Sequence, residues 1–323
     1  MTDLDKISIL VTGGAGFIGS HIVEYLVKNN VKFVRILDNL STGSKENISP
    51  LLKKFDNIEF MWGDIRNIET CRRACQNINM ICHQAALGSV PRSINNPLDS
   101  HEVNVNGFIN ILSAAKENNI KRFVYASSSS VYGTNIKPIK IEDDIGIALS
   151  PYAVTKHVNE LYADIFTRIY GMECIGLRYF NVFGPRQNPD GIYAAVIPKF
   201  IKMIIDNKQP IINGYGNYSR DFTYIDNVVH ANILALITHN DKCFGQVFNV
   251  GTNNNISINE LFNSIVKILD KECKPIYGPS LIGDIPYSNA SINKISEYLG
   301  YSPKILFNEG LVKTIDYFTA SQS

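Results

Sequence analysis

Short β-branched runs alternate with stretches of helical spacing through the first half of the chain. Apolar runs at 8–12, 33–38, 58–62, 80–84, 122–127 and 174–178 have the length and composition of strands buried on both faces. Between them, 19–29 and 104–118 space their apolar residues three and four apart. Val105, Phe108, Ile109, Leu112 and Ala115 share one helix face. Ser150 is a good N-cap and Pro151 suits a first turn, so a helix is predicted over 152–169. Strands alternating with helices predict a parallel sheet covered on both faces and wound right-handed. After residue 180 the pattern loosens. Gly, Pro and Asn cluster at 184–191 and 213–217, and helical patterns recur at 193–206, 226–239, 258–269 and 307–319. The expected class is α/β. A Rossmann-type doubly wound parallel sheet spans 1–180, with crossover segments near 221–252. A smaller mixed α/β substrate-binding lobe spans 181–323.

Composition narrows the function. The 323 residues include 31 Lys+Arg and 30 Asp+Glu, a net charge of +1. That balance lacks the electrostatic footprint of a nucleic-acid binder and gives no steering toward acidic membranes. No run of about 18 apolar residues appears, so no membrane span is expected. The start, Met1-Thr2-Asp3-Leu4-Asp5-Lys6, lacks a signal peptide's basic and apolar regions. The 6 cysteines form no C-x-x-C pair, and no paired His spacing completes a metal site. Buried free thiols and a cytoplasmic location are expected.

Thr12-Gly13-Gly14-Ala15-Gly16-Phe17-Ile18-Gly19 lies between a strand and a helix. Glycines there permit a tight turn and let backbone N–H groups approach a pyrophosphate at the helix N-terminus. Asp38 ends the second strand. A carboxylate at that position accepts hydrogen bonds from a ribose hydroxyl and repels a 2′-phosphate, so NAD is favoured over NADP. Asp64 and Ile65 follow another strand and suit an adenine amino group and ring. Tyr152 and Lys156 are four apart on one helix, hence on one face. An ammonium and an oxidised nicotinamide nearby favour phenolate, so Tyr152 is expected to titrate below the usual 10 and act as a base. Ser127-Ser128-Ser129-Ser130 ends the preceding strand, where ligands sit in an open α/β sheet.

These motifs, with YASSSSVYG around Ser128, resemble the extended short-chain dehydrogenase/reductase family. The likeness runs from Ile7 to about Tyr317. It is closest to the NAD-dependent bacterial UDP-N-acetylglucosamine 4-epimerases of surface-polysaccharide pathways. Residues 86–93 (ALGSVPRS), 178–184 (RYFNVFG), 193–199 (YAAVIPK) and 219–222 (SRDF) carry it. The resemblance implies a catalytic Ser128, Tyr152 and Lys156, with Val131-Tyr132-Gly133 selecting Ser128 from its serine run. It implies cofactor contacts at Gly13, Gly16, Phe17, Ile18, Gly19, Asp38, Asn39, Gly43, Asp64, Ile65, Gln84, Ala85, Ala86, Asn104, Lys156 and Tyr179. It implies substrate contacts at Gly88, Ser89, Arg92, Ser129, Ser130, Asn181, Val196, Asn213, Tyr215, Arg220 and Ser288.

In the family, a bulky aromatic at the position of Ser288 excludes sugars with a 2-acetamido group, so serine leaves room for them. The implied chemistry is hydride shuttling at C4 through a 4-keto sugar, with UDP as the fixed handle. Two positions depart from the pattern: Leu281 replaces a phosphate-contacting Arg, and Ser291 replaces an Asp. Other readings are a 4-epimerase of UDP-glucose, of a uronic acid or of a deoxy-amino sugar, or an NAD-sensing scaffold. A 4,6-dehydratase would need an acid pair where Ser129 and Ser130 stand. The resemblance also implies a homodimer through the helices at 104–118 and 152–169. The apolar stripe of Val154, Val158, Leu161 and Ile165 on the second of these is by itself more often core than interface.

Overall fold

A computed structural model describes residues 4–190, 194–279 and 287–320. Its centre is a parallel sheet of seven strands: β1 (Ser8–Thr12), β2 (Phe33–Asp38), β3 (Ile58–Trp62), β4 (Met80–His83), β5 (Arg122–Ser128), β6 (Glu173–Tyr179) and β7 (Val247–Val250). The spatial order is 3-2-1-4-5-6-7. Ile9 pairs with Val34 on one side and with Met80 on the other, so the sheet runs outward in both directions from β1.

Alternation along each strand builds two cores. Ile9 and Val11 join the layer under the helices Phe17–Lys28 and Ile225–Ile237. Leu10, Leu37, Ile81 and Phe123 join the opposite layer, under Gly107–Glu117 and Pro151–Tyr170. Both faces are therefore apolar, which explains why the strands read as continuous hydrophobic runs.

The remaining strands are short. Ile256–Ser257, Ser219–Arg220, Tyr287–Ala290 and Ile139–Lys140 form a small four-stranded sheet in that order. Two further pairs join Thr223–Tyr224 to Val182–Phe183 and Ile276–Gly278 to Ile211–Asn213.

Several boundaries differ from the sequence pattern. The first helix begins at Phe17, because Gly16 already has the extended backbone of an N-cap. The pattern at 104–118 is two elements: a π turn, Glu102–Asn106, inserts one extra residue before the helix Gly107–Glu117. The helix expected over 193–206 is Val196–Ile205, and Tyr193 lies outside the described residues. Five cysteines are buried, but Cys273 is partly exposed, since it lies in the loop after the helix Ile258–Leu269. No described helix is long and apolar enough to cross a membrane.

Candidate active site

The order of the sheet reverses between β1 and β4, and the loops leaving these strands part to open a cleft of about 300 Å³. Its floor is the glycine turn. Gly13 has φ +67, and a Cβ there would lie 2.7 Å from the Ala85 nitrogen on the β4 loop. A Cβ on Gly19 would lie 2.1 Å from the Gly13 carbonyl oxygen. The turn and helix thus pack backbone to backbone, and the helix start at Gly16, Phe17, Ile18 and Gly19 faces the cleft. No side chain caps that start, so its N–H groups are available to an anion.

Asp38 joins the cleft from β2. Its Oδ2 accepts the Ala15 N–H at 3.0 Å and its Oδ1 the Leu40 N–H at 2.8 Å, while burial raises its carboxyl above the usual range. The same carboxylate therefore braces the glycine turn. Asn39 donates to Asp64 Oδ2 at 2.9 Å, and Arg66 grips Asp64 from the other side. Those bonds, Arg66 first, hold Asp64 down to about 2. Ile65, Gln84, Ala85, Ala86 and Gly88 complete this wall. Gly43 stands behind the turn, where a Cβ would lie 2.8 Å from the Ala15 carbonyl carbon. Asn104 is buried outside the lining. It accepts the Leu87 N–H at 2.8 Å and donates to Thr155 Oγ1 at 3.2 Å, pinning the wall to the long helix.

That helix, Pro151–Tyr170, brings Tyr152 and Lys156 into the cleft. Ser150 caps it, accepting the Ala153 N–H at 3.2 Å. Lys156 Nζ lies 6.0 Å from the Tyr152 ring centroid and donates to the Ala126 carbonyl at 2.9 Å. Burial pushes the Lys156 ammonium down to about 8, and Glu160 opposes that shift. Within the serine run, the Ser128 hydroxyl draws the Tyr152 phenol down and accepts the Ser130 hydroxyl at 2.8 Å. Ser127 instead donates to Glu160 Oε1 at 2.5 Å.

Without the cofactor, desolvation raises the Tyr152 phenol above its usual range, and the Ser128 hydroxyl only partly offsets it. Lys156 is itself desolvated and turned to a carbonyl, so the protein alone does not favour phenolate.

Near Tyr152 the expected Gln84 and Tyr179 meet in a polar cluster around Asn232, which sequence reasoning missed. Asn232 donates to the Tyr179 hydroxyl at 2.8 Å, and that hydroxyl lies 3.1 Å from Gln84 Oε1. Only the position of Asn232, on a helix facing β4 and β6, could have flagged it. His83 was also missed. It is buried against Phe108 and Phe123, with Nδ1 2.8 Å from Thr12 Oγ1. Leu37, Ser41, Thr42, Gly63, Val103 and Ala126 line the cleft as well.

The other residues expected at the sugar lie outside the lining of the cleft. Ser89, at φ +99, caps the helix Val90–Asn95 by accepting the Arg92 N–H at 3.3 Å. Ser93 in that helix accepts the Tyr152 N–H at 3.0 Å. Asn181 donates to the Asp221 carbonyl at 3.1 Å. Arg220 and Ser288 are register partners on adjacent parallel strands. Asp221 forms no surface ion pair: it is fully buried and accepts N–H groups from Thr252 and Asn253 at 2.9 Å each. Val196 opens its helix, and Asn213 ends a separate strand before Tyr215, which is exposed. Ser129 lies in the 3-10 turn that follows β5. Leu281 lies outside the described residues.

The description of the NAD-dependent epimerase/dehydratase family matches residues 9–251, which include the glycine turn, Asp38 and the Ser128, Tyr152 and Lys156 group. The chain belongs to this family. The UDP-N-acetylglucosamine 4-epimerase of Methanobrevibacter ruminantium, solved with UDP-N-acetylmuramic acid, is 37% identical, with a TM-score of 0.91 over 98% of this chain and 99% of that one. The UDP-glucose 4-epimerase of Thermotoga maritima, solved with UDP-glucose, is 35% identical, also at 0.91, over 98% and 100%. The UDP-glucuronate 4-epimerase of Thermodesulfobacterium geofontis is 34% identical over 95% of each chain. The enzyme is thus an isomerase among the NAD-dependent UDP-sugar 4-epimerases, on the Rossmann-like fold of these relatives.

The cleft fits the cofactor on its own chemistry. It offers uncapped helix N–H groups for a pyrophosphate, a glycine turn that a Cβ would fill, and an acidic side chain at the end of β2.

Proposed function

We propose that the enzyme interconverts UDP-N-acetylglucosamine and UDP-N-acetylgalactosamine. The observation that carries this reading is the small side chain of Ser288, whose strand pairs in register with Arg220. An aromatic ring there would fill the space that a 2-acetamido group needs. The relative solved with an N-acetylated UDP-sugar supports the same choice.

In the proposed reaction Tyr152 removes the proton of the sugar 4-hydroxyl, and Ser128 shares that hydrogen bond. NAD, when bound, would accept the hydride from C4 and give it back to the opposite face of the 4-keto sugar, and its oxidised form would bring a positive charge near the phenol. That charge supplies the lowering of the Tyr152 pKa that the protein alone lacks. After the 4-keto sugar turns over, Tyr152 returns the proton. Lys156 would bind the nicotinamide ribose, with its ammonium held near the Tyr152 ring. Arg220 and Asn181 grip the diphosphate, which must stay fixed whichever sugar face points inward. Gly13, Gly16, Gly19 and Asp38 hold the cofactor between turnovers.

The test is product analysis with UDP-N-acetylglucosamine and, separately, UDP-glucose, with no added NAD. The expected result is the C4 epimer of the first at the higher rate, reversed in favour of UDP-glucose by Ser288→Tyr. Tyr152→Phe should lower kcat at least 100-fold while leaving NAD bound. No conversion of either sugar by NAD-loaded protein overturns the substrate assignment.

A further inference from the structure

Under the catalytic pair lies a buried ionic cluster that the proposed reaction does not use. Tyr152, Lys156 and Glu160 follow one another at four-residue steps along one helix face. Glu160 and Arg178 are both almost fully buried. Arg178 Nε donates to Glu160 Oε1 and its terminal NH2 group to Oε2, each at 2.8 Å, a two-pronged grip. Ser127, next to Ser128, donates to Glu160 Oε1. The remaining Arg178 nitrogen donates to the Tyr132 hydroxyl at 3.1 Å and to the Glu142 carbonyl at 2.8 Å. One carboxylate thus ties the helix carrying Tyr152 and Lys156 to the end of β5 carrying Ser128 and the end of β6 carrying Tyr179.

A buried ion pair is weak evidence of stabilisation, because desolvating both charges offsets their attraction. Its placement says more. The charged and titratable groups around Lys156 are Tyr152 and Glu160 on its own helix, His83 on β4, Tyr125 on β5, and Arg178 and Tyr179 on β6. Burial keeps His83 neutral and holds Tyr125 and Tyr179 above their usual range. Glu160 is therefore the anion of this group, one helical turn from Lys156, with Arg178 gripping both its oxygens and the Lys156 ammonium turned to the Ala126 carbonyl.

Resting on the epimerase reading, we propose that Glu160 is a positioning residue for the reaction. Held by Arg178 and Ser127, its carboxylate keeps Lys156 charged and fixes Ser128 against Tyr152. Glu160→Gln would leave the Arg178 charge unbalanced near Lys156, so the ammonium would lose its proton at lower pH. Glu160→Asp keeps the charge and alters only reach.

The experiment compares wild type, Glu160→Gln, Glu160→Asp and Ser127→Ala for NAD content, kcat, KM and the pH profile of kcat. Glu160→Gln is expected to keep NAD and lower kcat at least tenfold with KM within about threefold. The alkaline fall of its profile should begin at lower pH. Glu160→Asp is expected to restore the wild-type alkaline limb even at reduced kcat. Glu160→Gln and wild-type profiles that superimpose overturn the proposal. If Glu160→Gln fails to fold, Ser127→Ala decides the matter. It keeps the ion pair and loosens only the carboxylate, so a threefold or larger fall in kcat at unchanged KM supports the proposal, and unchanged kcat overturns it. Wild-type protein that converts no UDP-sugar would refute the epimerase reading instead, a separate outcome visible in the control.

Discussion

Gly19 shows how little room a single residue can leave. Its α-hydrogen faces the Gly13 carbonyl, and a methyl group would sit 2.1 Å from that oxygen. Neither backbone can yield without moving β1 or the helix that follows it. Gly19→Ala is therefore expected to cost about 2–3 kcal/mol of stability and to empty the cleft of NAD. Thermal melting and the nicotinamide absorbance of purified protein check both, and full NAD content in the variant would show that the turn can relax. The residues that make this cradle were legible in the sequence because their spacing is itself the chemistry: glycines where backbones touch, Asp38 at a strand end. The acidity of Tyr152 was not. Four-residue spacing places Lys156 one turn away, but it does not reveal that the ammonium is drawn down to the Ala126 carbonyl. Nor can it reveal Asn232, whose partners Tyr179 and Gln84 stand 53 and 148 positions away in sequence.

Among elements, the long helix Pro151–Tyr170 divides its labour by face. Lys156, Asn159, Glu160 and Ala163 point inward, while Val154, Leu161 and Ile165 are exposed. The stripe that reads as either core or interface in the sequence is thus left uncovered by this chain. An apolar face of this kind fits a partner helix, and we expect a second copy of the chain to cover it. Leu161→Asp combined with Ile165→Asp should halve the mass seen by sedimentation while leaving the fold intact, because neither side chain supports the core. Monomeric wild-type protein would remove this interface from consideration. Elements defined by long periodic runs, such as this helix and β1 to β6, are the ones that hydrophobic spacing foretells. The two-residue strands around Arg220 escape it. Their pairing is fixed by distant backbone partners, and two residues carry no period.

For the molecule as a whole, the buried histidines set an acid limit. His83 is held neutral at about 3 by burial, with Lys156 adding to the effect, against 6.5 in a solvated side chain. The unfolded chain gains a proton below pH 6.5 that the native chain refuses. His83 thus contributes stability that is complete above that pH and lost as pH falls toward 3. Between pH 7 and pH 5 the loss from this residue is about 2 kcal/mol. His21, lowered to about 4 first by burial and then by Arg186, acts in the same direction. Urea midpoints at the two pH values should separate accordingly, and His83→Gln should flatten the slope. The Asp221 carboxylate gathers N–H groups from Thr252, Asn253 and Ala290, positions up to 69 residues further along the chain. A knot with such reach cannot be tied until nearly all of the polypeptide exists, and closing loops of that length is slow. The glycine turn and Asp38, by contrast, lie within the first 40 residues. During synthesis the surface proposed for the sugar nucleotide therefore arises last, on a chain whose glycine turn and Asp38 emerged long before.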